Sequence, residues 1–138
     1  MPRHQRFRDG NTQLRVPGGT VVPLEVAASF RSRTRGLLGR DGLDGALLLT
    51  PAGSVHTWRM RFTIDVAYLT RDLTVLSVRT MPPGRLGVPR LRARHVLEAE
   101  AGAMERWGLR RGVRLEVLPP RPGAPGAGLR PGDVSGGA

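Results

Sequence analysis

The sequence predicts a single, mainly β domain, and three observations carry that reading. Short runs of alternating apolar residues recur along the chain, the helix-compatible stretches between them span a few turns at most, and no heptad, internal repeat or long hydrophobic run is present. A length of 138 residues fits one domain, and a hydrophobic share of 39% leaves part of that length outside a core.

The elements follow in order. Residues 1–19 read as a basic N-terminal arm, without the apolar h-region of a signal peptide. "GTVVPLEVAASF" reads as extended, with Pro23 pointing to an edge strand or a break. Ser29 is an N-cap for a short arginine-rich helix that carries Leu37 and Leu38 and stops at Gly39. "GALLLTPAG" is a short apolar strand. From His56 to Val66 a period of two places His56, Trp58, Met60, Phe62, Ile64 and Val66 on a core side, with Thr57, Arg59, Arg61, Thr63 and Asp65 opposite, and a bend near Phe62 and Thr63. "TRDL" turns this strand into "TVLSVRTM", which predicts a hairpin. Residues 82–94 read as a loop ending in an extended segment with Arg90, Arg92 and Arg94 on one face. A strand over 96–99, a helix over 101–107 capped by Gly108, and a strand over 114–118 complete a β domain spanning 20–118. Residues 119–138 are rich in proline and glycine, which predicts a disordered tail.

The formal charge is +11, and all 22 basic residues are arginine. Two readings compete: a solvated surface under GC-rich codon usage, and a phosphate footprint. The cations are spread over several segments and the six aromatic residues do not interleave with them, so nucleic-acid binding through Arg85, Arg90, Arg92 and Arg94 is the minority reading. With no cysteine, disulfides and thiolate chemistry are excluded. The three histidines lack ligand spacing, so neither a metal nor another cofactor is expected. The expected location is the cytoplasm, with no membrane partner; the oligomeric state stays open.

Polar residues in a mainly apolar strand point to a site. His56 titrates near neutrality and can act as acid, base or ligand, or simply donate to a neighbouring carbonyl. Asp65, set among apolar residues, needs a partner: Arg59 or Arg61 on the same strand face, or a rim pocket shared with His56 and Glu98. Thr57 and Arg59 would extend that pocket. Arg35 and Arg40 bracket "RGLLGR" and could hold an anion, although its glycine spacing matches no phosphate-binding loop.

Three motifs, "RGLLGR", "HTWRMRFTIDVAYL" and "VLEAEAGAMERWGLRRGVRL", stand in the order and spacing of a small prokaryotic family catalogued as domain of unknown function 192, which the chain resembles over roughly residues 20–118. The resemblance implies a compact sandwich or barrel-like fold with one or two short helices at the rim, and no established activity. Thr63 stands where many members carry proline, and the loop before Arg94 lacks the cysteine of some relatives. The functional expectation is a non-enzymatic binding or accessory module with a pocket for a small anionic ligand or peptide. The alternatives are sequence-tolerant nucleic-acid binding and a hydrolase using His56 with a carboxylate.

Overall fold

A computed structural model describes residues 6–120, so most of the proline- and glycine-rich segment lies outside the described residues. Seven strands and two short helices alternate along it: β1 (Gly10–Arg15), β2 (Val21–Ala27), α1 (Phe30–Arg35), β3 (Ala46–Leu49), β4 (Ile64–Leu69), β5 (Val75–Met81), β6 (His95–Glu100), α2 (Ala103–Arg106) and β7 (Glu116–Leu118). They form one mainly β sheet in the order β5-β4-β6-β3-β2-β1-β7. All neighbours run antiparallel except β2 and β3, which α1 links by a crossover.

The sheet curls until its two ends touch. Val75 N donates to Val113 O (2.8 Å), Gly112 N to Val75 O (2.9 Å) and Leu115 N to Leu73 O (3.0 Å), which joins the start of β5 to the segment before β7. The result is a half-barrel whose concave side holds Leu14, Leu24, Leu48, Leu69, Leu97, Met104 and Leu115. A second core covers the convex side with Leu37, Leu43, Leu47, Val55, Met60, Ile64, Val66 and Tyr68. Strands β3, β4 and β6 are therefore buried on both faces; β3 is apolar throughout, and Asp65 in β4 and Glu98 in β6 are buried polar exceptions.

Several local expectations change. Residues 10–15, read as part of the arm, form β1, because Leu14 is buried and the strand pairs with both β2 and β7. Pro23 lies in an unbroken internal strand; the ladder with β3 begins at Leu24, so the missing N–H falls beside the end of that ladder. Ser29 does cap α1, its Oγ accepting from Ser32 N (3.1 Å), but the helix ends at Gly36, ahead of the leucines it was expected to carry. Leu37 then turns into the convex core while Leu38 stays exposed.

The largest correction concerns residues 56–66. Only Ile64 onward is strand; Thr57 to Phe62 turn, closed by Met60 N donating to Thr57 O (3.2 Å), with Arg59 at φ 62°. Thr57 is fully buried and Trp58 is 54% exposed, opposite to the expected alternation. The cause is hydrogen bonding. Thr57 N donates to Arg85 O (2.8 Å), its Oγ1 donates to Pro82 O (2.7 Å), and Arg85 N donates to that Oγ1 (2.8 Å), so the threonine is drawn inward to fasten the long loop. The basic segment 90–94 is likewise a turn, closed by Ala93 N donating to Arg90 O (3.1 Å). The hairpin β4–β5, the strand β6 and the glycine cap at Gly108 stand where the sequence put them.

Candidate functional site

The sheet register decides which polar residues can meet. Asp65 pairs with Ala99, and Val66 pairs with Glu98, in the antiparallel β4–β6 ladder. Residues directly opposite share a face, so Asp65 lies on the concave side and Glu98 on the convex side. The two carboxyls do not converge.

Asp65 is occupied structurally. Its Oδ1 accepts from Thr80 Oγ1 (2.7 Å), and its Oδ2 accepts from Gly102 N (2.9 Å) and Met104 N (3.2 Å). It thus holds the free N–H groups at the start of α2, a role that short helices usually give to a side chain in their own sequence. Neither arginine expected as its partner supplies it: Arg59 is exposed, and Arg61 pairs with Asp41 (3.2 Å).

Glu98 has the opposite character. It is 3% exposed and makes no hydrogen bond or ion pair with any described residue. Burial pushes its carboxyl up to about 7, because the charged form loses water without gaining a counter-charge. It lines a cavity of about 90 Å³ between α1 and the segment after β3. Leu49, Val55 and Met60 are its apolar lining residues, and His56, Ser54, Arg33 and Arg35 line it as well. Helix α1 carries both arginines: Arg33 Nη1 donates to Pro51 O (2.8 Å), and Arg35 is exposed. His56 is also exposed, bridges by backbone to Leu86, and lies 5.5 Å from the Trp58 ring. Of the expected pocket residues, His56 and Glu98 therefore come together, joined by Arg35 from the expected anion set, whereas Thr57, Arg59 and Asp65 do not line this cavity.

The remaining basic candidates separate. Arg40 is held by Glu25 through two bonds of 2.9 and 2.8 Å, a forked pair that already occupies its guanidinium. Arg90 turns inward over the Tyr68 ring at 5.5 Å, and Arg94 donates to Leu91 O and Ala93 O within its own loop. Arg85 and Arg92 remain exposed. Because this segment is a turn, Arg90, Arg92 and Arg94 do not line one face of an extended strand.

Sequence reasoning missed Arg33 and Ser54 as cavity residues, and no periodic signal marks either one. It also passed over His95, which is buried, with Nδ1 2.7 Å from Thr50 Oγ1 and Nε2 3.2 Å from Arg71 O; burial lowers its basicity. Among the described residues no group of three or more His, Cys, Asp or Glu is arranged to hold a metal ion. Among the same residues no helix is long and apolar enough to cross a membrane.

Comparison with known proteins agrees with the fold. The model of domain of unknown function 192, described as "Uncharacterized ACR", matches residues 12–117. A UPF0127 protein of Pyrococcus furiosus is 31% identical over 110 residues, covering 75% of this chain and 95% of its own. One from Pyrococcus horikoshii is 30% identical over 87 residues, covering 59% and 76%. Two crystal structures share the fold at a TM-score of 0.66: a candidate transcription regulator of Sinorhizobium meliloti (20% identity, 80% of this chain and 95% of that one) and a protein of unknown function from Novosphingobium aromaticivorans (19%, 77% and 83%).

Proposed function

The chain belongs to the family of domain of unknown function 192, and we propose that it acts as a small-molecule binding module whose site is the Glu98 cavity. The ligand carries an anionic group, either as a small acid or as a peptide carboxylate. One observation carries this reading: a buried carboxyl with no partner among the described residues lines a cavity that Arg33 and Arg35 also line. A group poised near neutrality is protonated in a large fraction of molecules, and a protonated carboxyl donates a hydrogen bond to an anionic oxygen. Arg35 and Arg33 would supply the charge, and the apolar walls would exclude competing water. We place this activity in the cytoplasm, as the sequence reading did.

A thermal-shift screen of small carboxylates, inorganic phosphate and short peptides tests the proposal. Stabilisation by any hit is expected to disappear in Glu98→Gln and Arg35→Ala and to weaken in His56→Ala, while Arg111→Ala, far along the chain, keeps it. Hits that survive both Glu98→Gln and Arg35→Ala remove the cavity from the account.

A second reading, a hydrolase using His56 with a carboxylate, draws support from Ser54, His56 and Glu98 lining one cavity, although no hydrogen bond links them. Ester hydrolysis that persists in His56→Ala rules it out.

A further inference from the structure

The loop 82–94 presents a surface that the cavity does not use. Gly87 is buried so tightly that a Cβ there would lie 2.5 Å from the Tyr68 hydroxyl and 3.0 Å from Val55 O. The backbone pairing of Gly87 N with Val55 O (2.8 Å), beside the His56–Leu86 bridge, keeps this run extended. With Gly87 facing inward, a period of two turns Leu86 and Val88 outward, and they are 66% and 69% exposed. The turn at Arg90 to Ala93 then leaves Leu91 at its tip, 93% exposed. Trp58 stands next to this run, since Gly84 N donates to Thr57 O (2.8 Å) and the indole packs beside His56.

The segments that build this surface carry charge of one sign. Between Asp44 and Asp65, and again between Asp72 and Glu98, the chain contains no acidic residue. Arg59, Arg85 and Arg92, next in sequence to Trp58, Leu86 and Leu91, are exposed. Four large apolar groups left in water need a covering phase, and an arginine border selects an anionic one. A second copy of the chain would bring arginine against arginine. A nucleic acid would neutralise the arginines but leave three aliphatic side chains with nothing to enter.

We propose that this face docks on an anionic lipid surface, with Leu86, Val88 and Leu91 entering the acyl boundary, Trp58 at headgroup level, and Arg59, Arg85 and Arg92 on lipid phosphates. This departs from the sequence expectation of no membrane partner. It is peripheral contact by a loop and needs no spanning element.

Co-sedimentation of the full chain with phosphatidylcholine vesicles, with and without phosphatidylserine, tests the docking. Binding is expected only when phosphatidylserine is present, together with a blue shift of tryptophan emission that is lost in Trp58→Phe. Replacing Leu86, Val88 and Leu91 together by serine is expected to weaken binding roughly tenfold or more, as is the pair Arg85→Glu and Arg92→Glu, with unfolding temperatures unchanged because all five side chains are exposed. The proposal is overturned if the triple serine variant binds anionic vesicles like the parent, since attraction would then be by charge alone. It is equally overturned if the chain stays in the supernatant with every vesicle, or does so while binding RNA or DNA with an affinity the serine changes leave intact.

Discussion

Two acidic residues of similar burial do unlike work, and their partners account for the difference. Asp65 meets three donors and fixes α2 onto the sheet; Glu98 meets none among the described residues and lines a cavity. Removing an acceptor that serves two backbone N–H groups, that of Met104 buried and that of Gly102 partly so, leaves both unsatisfied, which costs more than the bonds themselves contributed. Asp65→Ala is therefore expected to destabilise the fold by about 2–4 kcal/mol in denaturant melts, and Asp65→Asn by roughly half as much because one carbonyl oxygen remains as acceptor. Ligand binding at the cavity should be unchanged in either variant under folding conditions. In the sequence both acids read as members of one cluster. The pattern could not separate them, because facing is set by the β4–β6 register, which pairs Asp65 with Ala99 and Val66 with Glu98 across a long stretch of chain.

At the level of elements, Thr57 decides the shape of the opening stretch. Its hydroxyl both donates to Pro82 O and accepts from Arg85 N, so the loop after β5 is fastened to the turn before β4. Thr57→Val keeps the volume and leaves both backbone groups without their partner. It is expected to cost about 1–3 kcal/mol and to speed amide exchange at Arg85 well ahead of exchange in β4. Alternation was a sound guide in β2, where Val22, Leu24 and Val26 are buried while Val21 and Pro23 are exposed. It failed at His56 to Thr63, where a polar residue is pulled inward by backbone groups of a distant loop and Trp58 is pushed out. The strand β1 was hidden for another reason: Leu14 and Val16 are the buried apolar side chains of a mostly polar segment, and its burial depends on β2 and β7 arriving from either side. The motifs, by contrast, led to the right family and to its mainly β fold.

For the whole molecule, a sheet that curls until β5 meets the approach to β7 leaves its central strands covered on both sides, and Glu98 sits in one of those strands. The stability of the entire domain is then linked to its protonation. A carboxyl raised from 4.5 to about 7 in the fold holds its proton more tightly there than in the unfolded chain. Its contribution is fully present below pH 4.5 and is lost as pH rises through 7, a change of about 3 kcal/mol at most. His95, whose basicity is lowered by burial, acts in the opposite sense near its ordinary range, so the comparison of parent with Glu98→Gln isolates the carboxyl. The variant is expected to gain stability relative to the parent between pH 4.5 and 8 by chemical denaturation, with the difference level above that.

The most direct test is a carbon-13 NMR titration of the Glu98 side-chain carboxyl in the full chain, assigned by comparison with Glu98→Gln. A carboxyl that faces an apolar-walled cavity with no partner titrates near 7 and shifts the signals of His56 and Arg35 as it does so. Titration near 4.5, with no response at either residue, would mean that Glu98 is bathed in water or paired elsewhere, and would contradict the site described above.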